Sequence, residues 1–321
     1  MKASDIKKIA CIGAGVIGSG WATNFAVRGY PVVIYDIMQA QLAAAKDTVK
    51  DNVDFLVRKE VISPAGAEAA MALVTYTLDI EEAVKDVQFI QESGPEKYDI
   101  KQKVLAEVEK YAQPDAIIAS STSGLLITEI AKHANHPERC IGGHPYNPPH
   151  LIPLVEITKG EQSSMATLSC VKEFYSLLGK EPVILNKETL GFIANRLQMA
   201  ISREIMDLVM RGVCTIEDVD KAMLYGPGLR FAIMGPILAL HLGGGPQGAK
   251  GMLTKMREPG MMWLKDMASG TEIPEEWADI AHEGVLRELE NRPAGFGKTD
   301  KDLIKFRDDM LIELLKLHKK L

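Results

Sequence analysis

The stretch KKIACIGAGVIGSGWATNFAVRGYPVVIYD, Lys7 to Asp36, admits few folds. A β-branched apolar run meets G-x-G-x-x-G, the glycines open a segment of helical composition, and a second apolar run ends on an acid. Gly13 permits the tight turn, Gly15 lets the backbone approach a diphosphate, and Gly18 lets the helix lie close to a sheet. The first helical turn, Val16 and Ile17, offers N–H groups without intrahelical acceptors at the positive end of the helix dipole. Asp36, eighteen residues after Gly18, stands where a carboxylate accepts hydrogen bonds from the adenosine ribose and repels a 2′-phosphate. Ile37 and Met38 follow it without an Arg or Lys, so the fingerprint predicts NAD rather than NADP.

Similar runs recur at VQFI, AIIA, LVEI and PVIL, separated by helix-patterned segments up to about Lys187. That alternation predicts an α/β fold, a Rossmann-type, doubly wound, mostly parallel sheet. Ala-rich sequence from Gln39 to Ala72 predicts a helical hairpin inserted over the sheet. Beyond Lys187 the strand signal fades into long helical periodicity, as in Gly191 to Gly212 and Leu303 to Lys320, broken by glycine turns at Gly226 to Gly228 and Gly243 to Gly248. The expected division is therefore 1–187, an NAD-binding domain with its helical insertion, and 188–321, an all-helical substrate and dimerisation domain.

The net charge of −6, with no long basic run, points away from nucleic acid and anionic membranes and toward a small soluble ligand. Cys11, Cys140, Cys170 and Cys214 stand far apart in apolar or helical surroundings and form no C-x-x-C pair, so they read as reduced thiols, without metal. No secretory leader or membrane span is evident, and a cytoplasmic location is expected.

In HPYNPPHLIPLVEI, Val155 and Ile157 of a strand point to one face and Leu154 and Glu156 to the other. A carboxylate on so apolar a strand demands a partner, and His144 is the candidate. Imidazole accepts a proton near neutral pH, and a carboxylate on its far nitrogen fixes the tautomer and stabilises the imidazolium. A base of this kind suits hydride abstraction from a secondary alcohol, which must shed its hydroxyl proton. The strand-end sequences QESGPE and ASSTSGLL are placed to wall such a site, although Ser123 or Thr128 serves equally well as the cap of a following helix.

The ordered motifs GAGVIGSGWA, ESGPE, SSTSGLL, HPYNPPHLIPLVE and GFIANRL span nearly the whole chain and resemble the 3-hydroxyacyl-CoA dehydrogenase superfamily. The likeness is greatest to its free-acid branch, the L-carnitine dehydrogenases, L-gulonate 3-dehydrogenases and lambda-crystallins. It implies a Rossmann domain with a dimerising helical domain, NAD as hydride acceptor, and oxidation of a 3-hydroxyl to a 3-oxo group. It also implies His144 as base, Glu156 as its orienting acid, Ser123 and Asn195 at the substrate hydroxyl, and Glu96 and Lys101 beside the nicotinamide half of the cofactor. The superfamily's S-N-T-S becomes Ser120-Ser121-Thr122-Ser123, which exchanges an amide contact near the nicotinamide for the Ser121 hydroxyl.

Arg230, in YGPGLRFAIMGP, carries a guanidinium able to clamp a free carboxylate in two-pronged fashion, which a thioester does not offer. The expected substrate is a short 3-hydroxy carboxylate. The alternatives are a short-chain 3-hydroxyacyl-CoA, with Lys46, Lys50, Arg58 and Lys59 toward its phosphates, and a lambda-crystallin-like structural role that retains NAD(H) binding.

Overall fold

The computed structural model describes residues 1–321, the side chain of Ala294 apart. Two compact units emerge, Met1–Arg196 with Lys320–Leu321, and Leu197–Lys319.

The first unit is built on strands β1 (Ile9–Ile12), β2 (Val32–Tyr35), β3 (Val74–Thr77), β4 (Phe89–Glu92), β5 (Ile117–Ser120), β6 (Cys140–Pro145), β7 (Leu154–Lys159) and β8 (Glu181–Ile184). They form one sheet in the order β3-β2-β1-β4-β5-β6-β7-β8. Every neighbouring pair is parallel except β6 with β7. The architecture is thus the Rossmann-type doubly wound sheet, joined to an all-helical second unit.

Because side chains alternate along a strand, each central strand feeds two cores. Ile9, Cys11, Phe89, Ile117 and Ala119 enter one, and Ala10, Ile12, Ile90 and Ile118 the other. The first core is rich in rings. Trp21 stacks on Phe25 at 5.2 Å between centroids, and Phe89 meets Phe174 at 4.8 Å. Helix α1 (Val16–Val27) reaches this core because Gly18 leaves room: a Cβ there would lie 1.8 Å from the carbonyl oxygen of Gly13.

The insertion folds as two helices, α2 (Gln39–Arg58) and α3 (Pro64–Ala72), the second capped by Ser63, whose Oγ accepts from the Gly66 N–H. Val49 and Val53 of α2 bury against the α1 side of the sheet. Two strands, β3 and β6, lacked a sequence signal. In β3 the apolar residues are interleaved with threonines (VTYT), and β6 reads CIGGHP, whose glycines hide its extended character. Both form because a neighbouring strand offers its backbone, and Gly142 and Gly143 are required by tight packing, since a Cβ on either would collide with Thr158 or Tyr175.

The second unit comprises most of the helix Ala194–Met210, followed by helices Ile216–Tyr225, Pro227–Ile233, Pro236–Leu242, Gly248–Asp266, Trp277–Asn291 and Asp300–Leu317. At Gly226 to Gly228 the chain does not leave helical structure for long: Pro227 opens the next helix at its first turn, a position that needs no N–H donor. Among the described residues, no single helix is long and apolar enough to cross a membrane. Cys11, Cys140 and Cys170 are buried and all four cysteines are free; burial pushes the Cys140 thiol up to about 12 and that of Cys11 further up.

Candidate active site

At the carboxyl ends of β1, β4 and β5 the chain makes three turns in contact. Gly13 has φ +102°, and a Cβ on it would lie 2.8 Å from the carbonyl oxygen of Ser93, just after β4. Over Gly15 nothing stands within 4 Å of the corresponding position, and the N-terminus of α1 has no side-chain cap. Free N–H groups at Val16 and Ile17 and open space beside Gly15 suit a diphosphate. Asp36, at the end of β2, accepts from the Ala14 N–H at 2.9 Å and the Met38 N–H at 3.0 Å, which ties the glycine turn to the β2 end. The residues present therefore fit a dinucleotide, NAD in particular, with exposed Val16, Ile37 and Met38 flanking Asp36 and the turn.

The loop after β5 is held by Glu96. One carboxylate oxygen accepts from Thr122 Oγ1 at 2.7 Å and from the N–H groups of Ser123 and Gly124 at 2.8 and 3.1 Å. Lys101 is buried: its ammonium donates to both oxygens of Glu92, at 3.0 and 2.9 Å, and to the Gly94 carbonyl, and lies 3.8 Å from Glu96. Neither Ser123 nor Thr128 caps the following helix, Ile127–Ile130. Its N-cap is Leu126, which has no side-chain acceptor, while Thr122 Oγ1 accepts the N–H groups of Gly124 and Leu125. Ser123 is therefore left out of local capping.

The antiparallel pairing of β6 and β7 sets His144 directly opposite Glu156. Opposed residues of an antiparallel pair share a face, so the pairing brings the imidazole and the carboxylate together across a separation of twelve positions. His144 Nδ1 lies 2.9 Å from Glu156 Oε2, and both side chains are buried. The other oxygen, Oε1, accepts from the N–H groups of Ile193 and Ala194 at 2.9 and 3.0 Å, at the start of the helix Ala194–Met210. Burial raises the Glu156 pKa, but the hydrogen bonds from His144 and from Ala194 and Ile193, with the attraction of His144, outweigh it and hold the carboxyl below its ordinary value. An ionised carboxylate only accepts, so Nδ1 is the donor of the pair, and the tautomer this pairing favours is the one with its lone pair on Nε2.

Asn195 follows at once on that helix. Its Nδ2 donates to the Ser123 carbonyl at 2.8 Å and its Oδ1 accepts from Tyr146 OH at 3.2 Å. The two loops meet through glycines, since a Cβ on Gly124 would lie 2.7 Å from the Gly191 nitrogen. Phe192 has φ +50°, a conformation costing about 1–3 kcal/mol for a non-glycine residue. Its buried ring packs edge-on against His144 at 5.6 Å, so tertiary packing holds it there.

Sequence reasoning placed Gln91 and Glu92 in the strand-end wall QESGPE without assigning either a partner, took Tyr146 only as an aromatic candidate near the substrate, and missed Phe192 and Lys180. For Gln91 and Glu92 the signal was the one that found Glu156: polar residues inside an apolar strand, FIQE. Lys180 gave no hint. Its buried ammonium donates to the carbonyls of Pro149 and Ile152 in the β6–β7 connection, and burial, with Arg28 nearby, lowers its pKa to about 7. Arg230 is exposed on the helix Pro227–Ile233, and among the described residues it pairs with no carboxylate.

A Rossmann sheet whose glycine turn suits a dinucleotide, with a buried histidine–carboxylate pair on the same sheet, fits the class of NAD-dependent dehydrogenases. Residues 8–189 match the model of the 3-hydroxyacyl-CoA dehydrogenase NAD binding domain, and residues 191–278 that of the 3-hydroxyacyl-CoA dehydrogenase C-terminal domain. The chain belongs to the 3-hydroxyacyl-CoA dehydrogenase family and is an NAD-dependent oxidoreductase. An L-carnitine dehydrogenase of Bacillus cereus is 38% identical over 321 residues, covering 100% of this chain and 95% of the relative. Another, of Streptomyces coelicolor, is 36% identical over 97% of this chain and 95% of its own. The crystal structure of 5-formyl-3-hydroxy-2-methylpyridine 4-carboxylic acid 5-dehydrogenase, an NAD+ dependent dismutase, superposes with a TM-score of 0.80 at 28% identity over 98% of both chains.

Proposed function

We propose that this dehydrogenase oxidises the 3-hydroxyl of a short 3-hydroxy carboxylate, L-carnitine, L-gulonate or a similar acid, to the 3-oxo acid, with His144 and Glu156 as its base. The observation that carries the reading is the cross-strand pair itself: a buried imidazole held by a carboxylate that the N-terminus of the Asn195 helix also anchors. Bound NAD supplies the hydride acceptor. Gly13, Gly15, Val16, Ile17, Gly18 and Asp36 hold its adenosine diphosphate portion, and Glu96, Lys101 and Ser121 line the nicotinamide portion. The hydroxyl proton passes to Nε2 of His144, and Glu156 stabilises the imidazolium that forms. Ser123 and Asn195 bind the substrate oxygen and hold the carbinol carbon in line.

Relatives named for carnitine and for a pyridine carboxylic acid both act on molecules with a free carboxylate, which favours acids over thioesters. Arg230 is the proposed carboxylate clamp. NADH formation with L-carnitine, L-gulonate, other free 3-hydroxy acids and 3-hydroxybutyryl-CoA tests the reading. A free acid is expected to have the highest kcat/KM, and Arg230→Ala is expected to raise KM for it by roughly tenfold or more with little effect on the thioester. Higher kcat/KM for the thioester would overturn the assignment, and NADH binding with no turnover would favour a lambda-crystallin-like role.

The functional division proposed is 1–187 for NAD and 188–321 for substrate and self-association, in a cytoplasmic homodimer. In support, Ile193, just before the helix Ala194–Met210, and Leu197 and Ile201 on that helix are exposed, as are Leu238, Leu242, Met262, Trp263 and Leu264. Such surface is what an obligate interface covers. Sedimentation is expected to give twice the monomer mass, and Leu197→Glu to shift it toward the monomer; a monomeric wild type would refute the dimer.

A further inference from the structure

A buried hydrogen-bond chain runs beneath the ends of β4 and β5, and of its members the roles assigned above use Ser121 alone. Tyr175 OH donates to Gln91 Oε1 at 2.7 Å. Gln91 Nε2 donates to Ser121 Oγ at 2.8 Å and lies 3.3 Å from the carbonyl oxygens of both Ala119 and Gly143. Ser121 Oγ is in turn 2.9 Å from Ser93 Oγ. Tyr175 and Gln91 are fully buried, whereas Ser93 and Ser121 are half-buried and reach accessible space.

The direction of this chain is fixed by elementary bookkeeping of donors. Two carbonyl oxygens that only accept surround one end of the Gln91 amide, so its nitrogen must lie there and its oxygen must face the Tyr175 hydroxyl. Ser121 Oγ therefore receives a hydrogen from below, and its own hydrogen points elsewhere. The two serine hydroxyls share one hydrogen between themselves, which leaves a single donor hydrogen for whatever binds above. Ser93 also abuts the glycine turn, as its carbonyl would lie 2.8 Å from a Cβ on Gly13.

We propose that Ser93 and Ser121 together form a one-hydrogen donor that recognises the carboxamide oxygen of the nicotinamide ring, and that Gln91 and Tyr175 are positioning residues that set its polarity. The buried Gln91 amide stands behind the hydroxyl that replaces the superfamily's asparagine, so the recognition is carried by two side chains instead of one. The assignment deepens the reading that Ser121 lines the nicotinamide portion of the site and rests on it.

Binding, measured by NADH fluorescence and calorimetry, separates the possibilities without reference to turnover. The probes are NADH, its thionicotinamide analogue, whose sulfur is a weak acceptor, and ADP-ribose, which lacks the ring. Ser93→Ala, Ser121→Ala, Gln91→Leu and Tyr175→Phe are each expected to raise the Kd for NADH about three- to tenfold. Affinity for ADP-ribose is expected to be unchanged, and the two serine variants are expected to lose the wild-type preference for NADH over the thio analogue. Tyr175→Phe removes a single oxygen and reads the chain even if Gln91→Leu fails to fold. If Ser121→Ala leaves the NADH to ADP-ribose ratio unchanged, Ser121 is not at the nicotinamide and the proposal falls with that reading. Should Ser121→Ala shift the ratio while Ser93→Ala and Tyr175→Phe do not, the cofactor reading survives and the donor pair is overturned. An equal loss of ADP-ribose affinity in every variant would mean general loosening and would overturn it as well.

Discussion

His144→Ala is expected to lower kcat by about 10²–10⁴-fold, the range for loss of a positioned general base, and to leave NADH binding close to that of the intact enzyme. The contacts of the imidazole are with Glu156, Tyr146 and Phe192, none of which belongs to the glycine turn or to Asp36. Its removal thus strikes the proton transfer and spares the cofactor crevice. Loss of a buried ring also opens a gap beside Phe192, which makes a moderate fall in melting temperature a normal accompaniment. Single-turnover hydride transfer and NADH titration on the same preparation separate the two effects. Turnover within tenfold of the wild type would remove His144 from the role of base.

Glu156→Gln carries the other large effect, and it works through the tautomer. The amide oxygen of glutamine is expected to stay on the Ile193 and Ala194 N–H groups that Oε1 now accepts, which turns the amide NH2 toward His144. Nδ1 must then accept rather than donate, the ring proton moves to Nε2, and the lone pair that takes the substrate proton is lost. Comparable carboxylate-to-amide changes in catalytic triads lower kcat by about 10⁴-fold, and a similar fall is expected here with little change in NADH affinity. Stability gives an independent readout. Since the folded pKa of Glu156 lies below its unfolded value, the stabilisation from its ionised form is present above the unfolded pKa, ordinarily 4.5, and is lost as pH falls through the folded one. The gap in unfolding free energy between wild type and Glu156→Gln should therefore shrink as the medium is acidified below about 4.5. A gap independent of pH, or a variant that turns over normally, would contradict the ionised pair.

The cofactor end of the molecule was legible in the sequence because each of its requirements is local. The turn at Gly13, the contact at Gly18 and the acid at Asp36 are imposed within one strand-helix-strand unit, so their spacing suffices to find them. Glu156 was legible for another local reason, a charge on an apolar strand. Its partner, His144, was named from the sequence as well, but the geometry that joins them is a matter of register, since the antiparallel pairing of β7 with β6 sets the two opposite each other. Strand β6 itself was missed because two glycines erase its apolar pattern, though those glycines are what lets it pack under Thr158 and Tyr175. Ser123 was ambiguous in sequence, a substrate contact or a helix cap, and only the position of the Ile127–Ile130 helix excluded the cap.

The sequence by itself determined the doubly wound sheet, its dinucleotide crevice, the helical second half and the residues able to serve as base and acid, since periodicity and turn chemistry act between near neighbours. Tertiary structure alone decided how those residues are oriented. Gln91 faces Tyr175 across 84 positions of sequence, Asn195 reaches Ser123 across 72, and Glu156 is anchored by a helix that starts 38 residues later. Hydrogen-bond direction at such a site depends on which donors and acceptors the fold brings within about 3 Å, and no spacing along the chain encodes that.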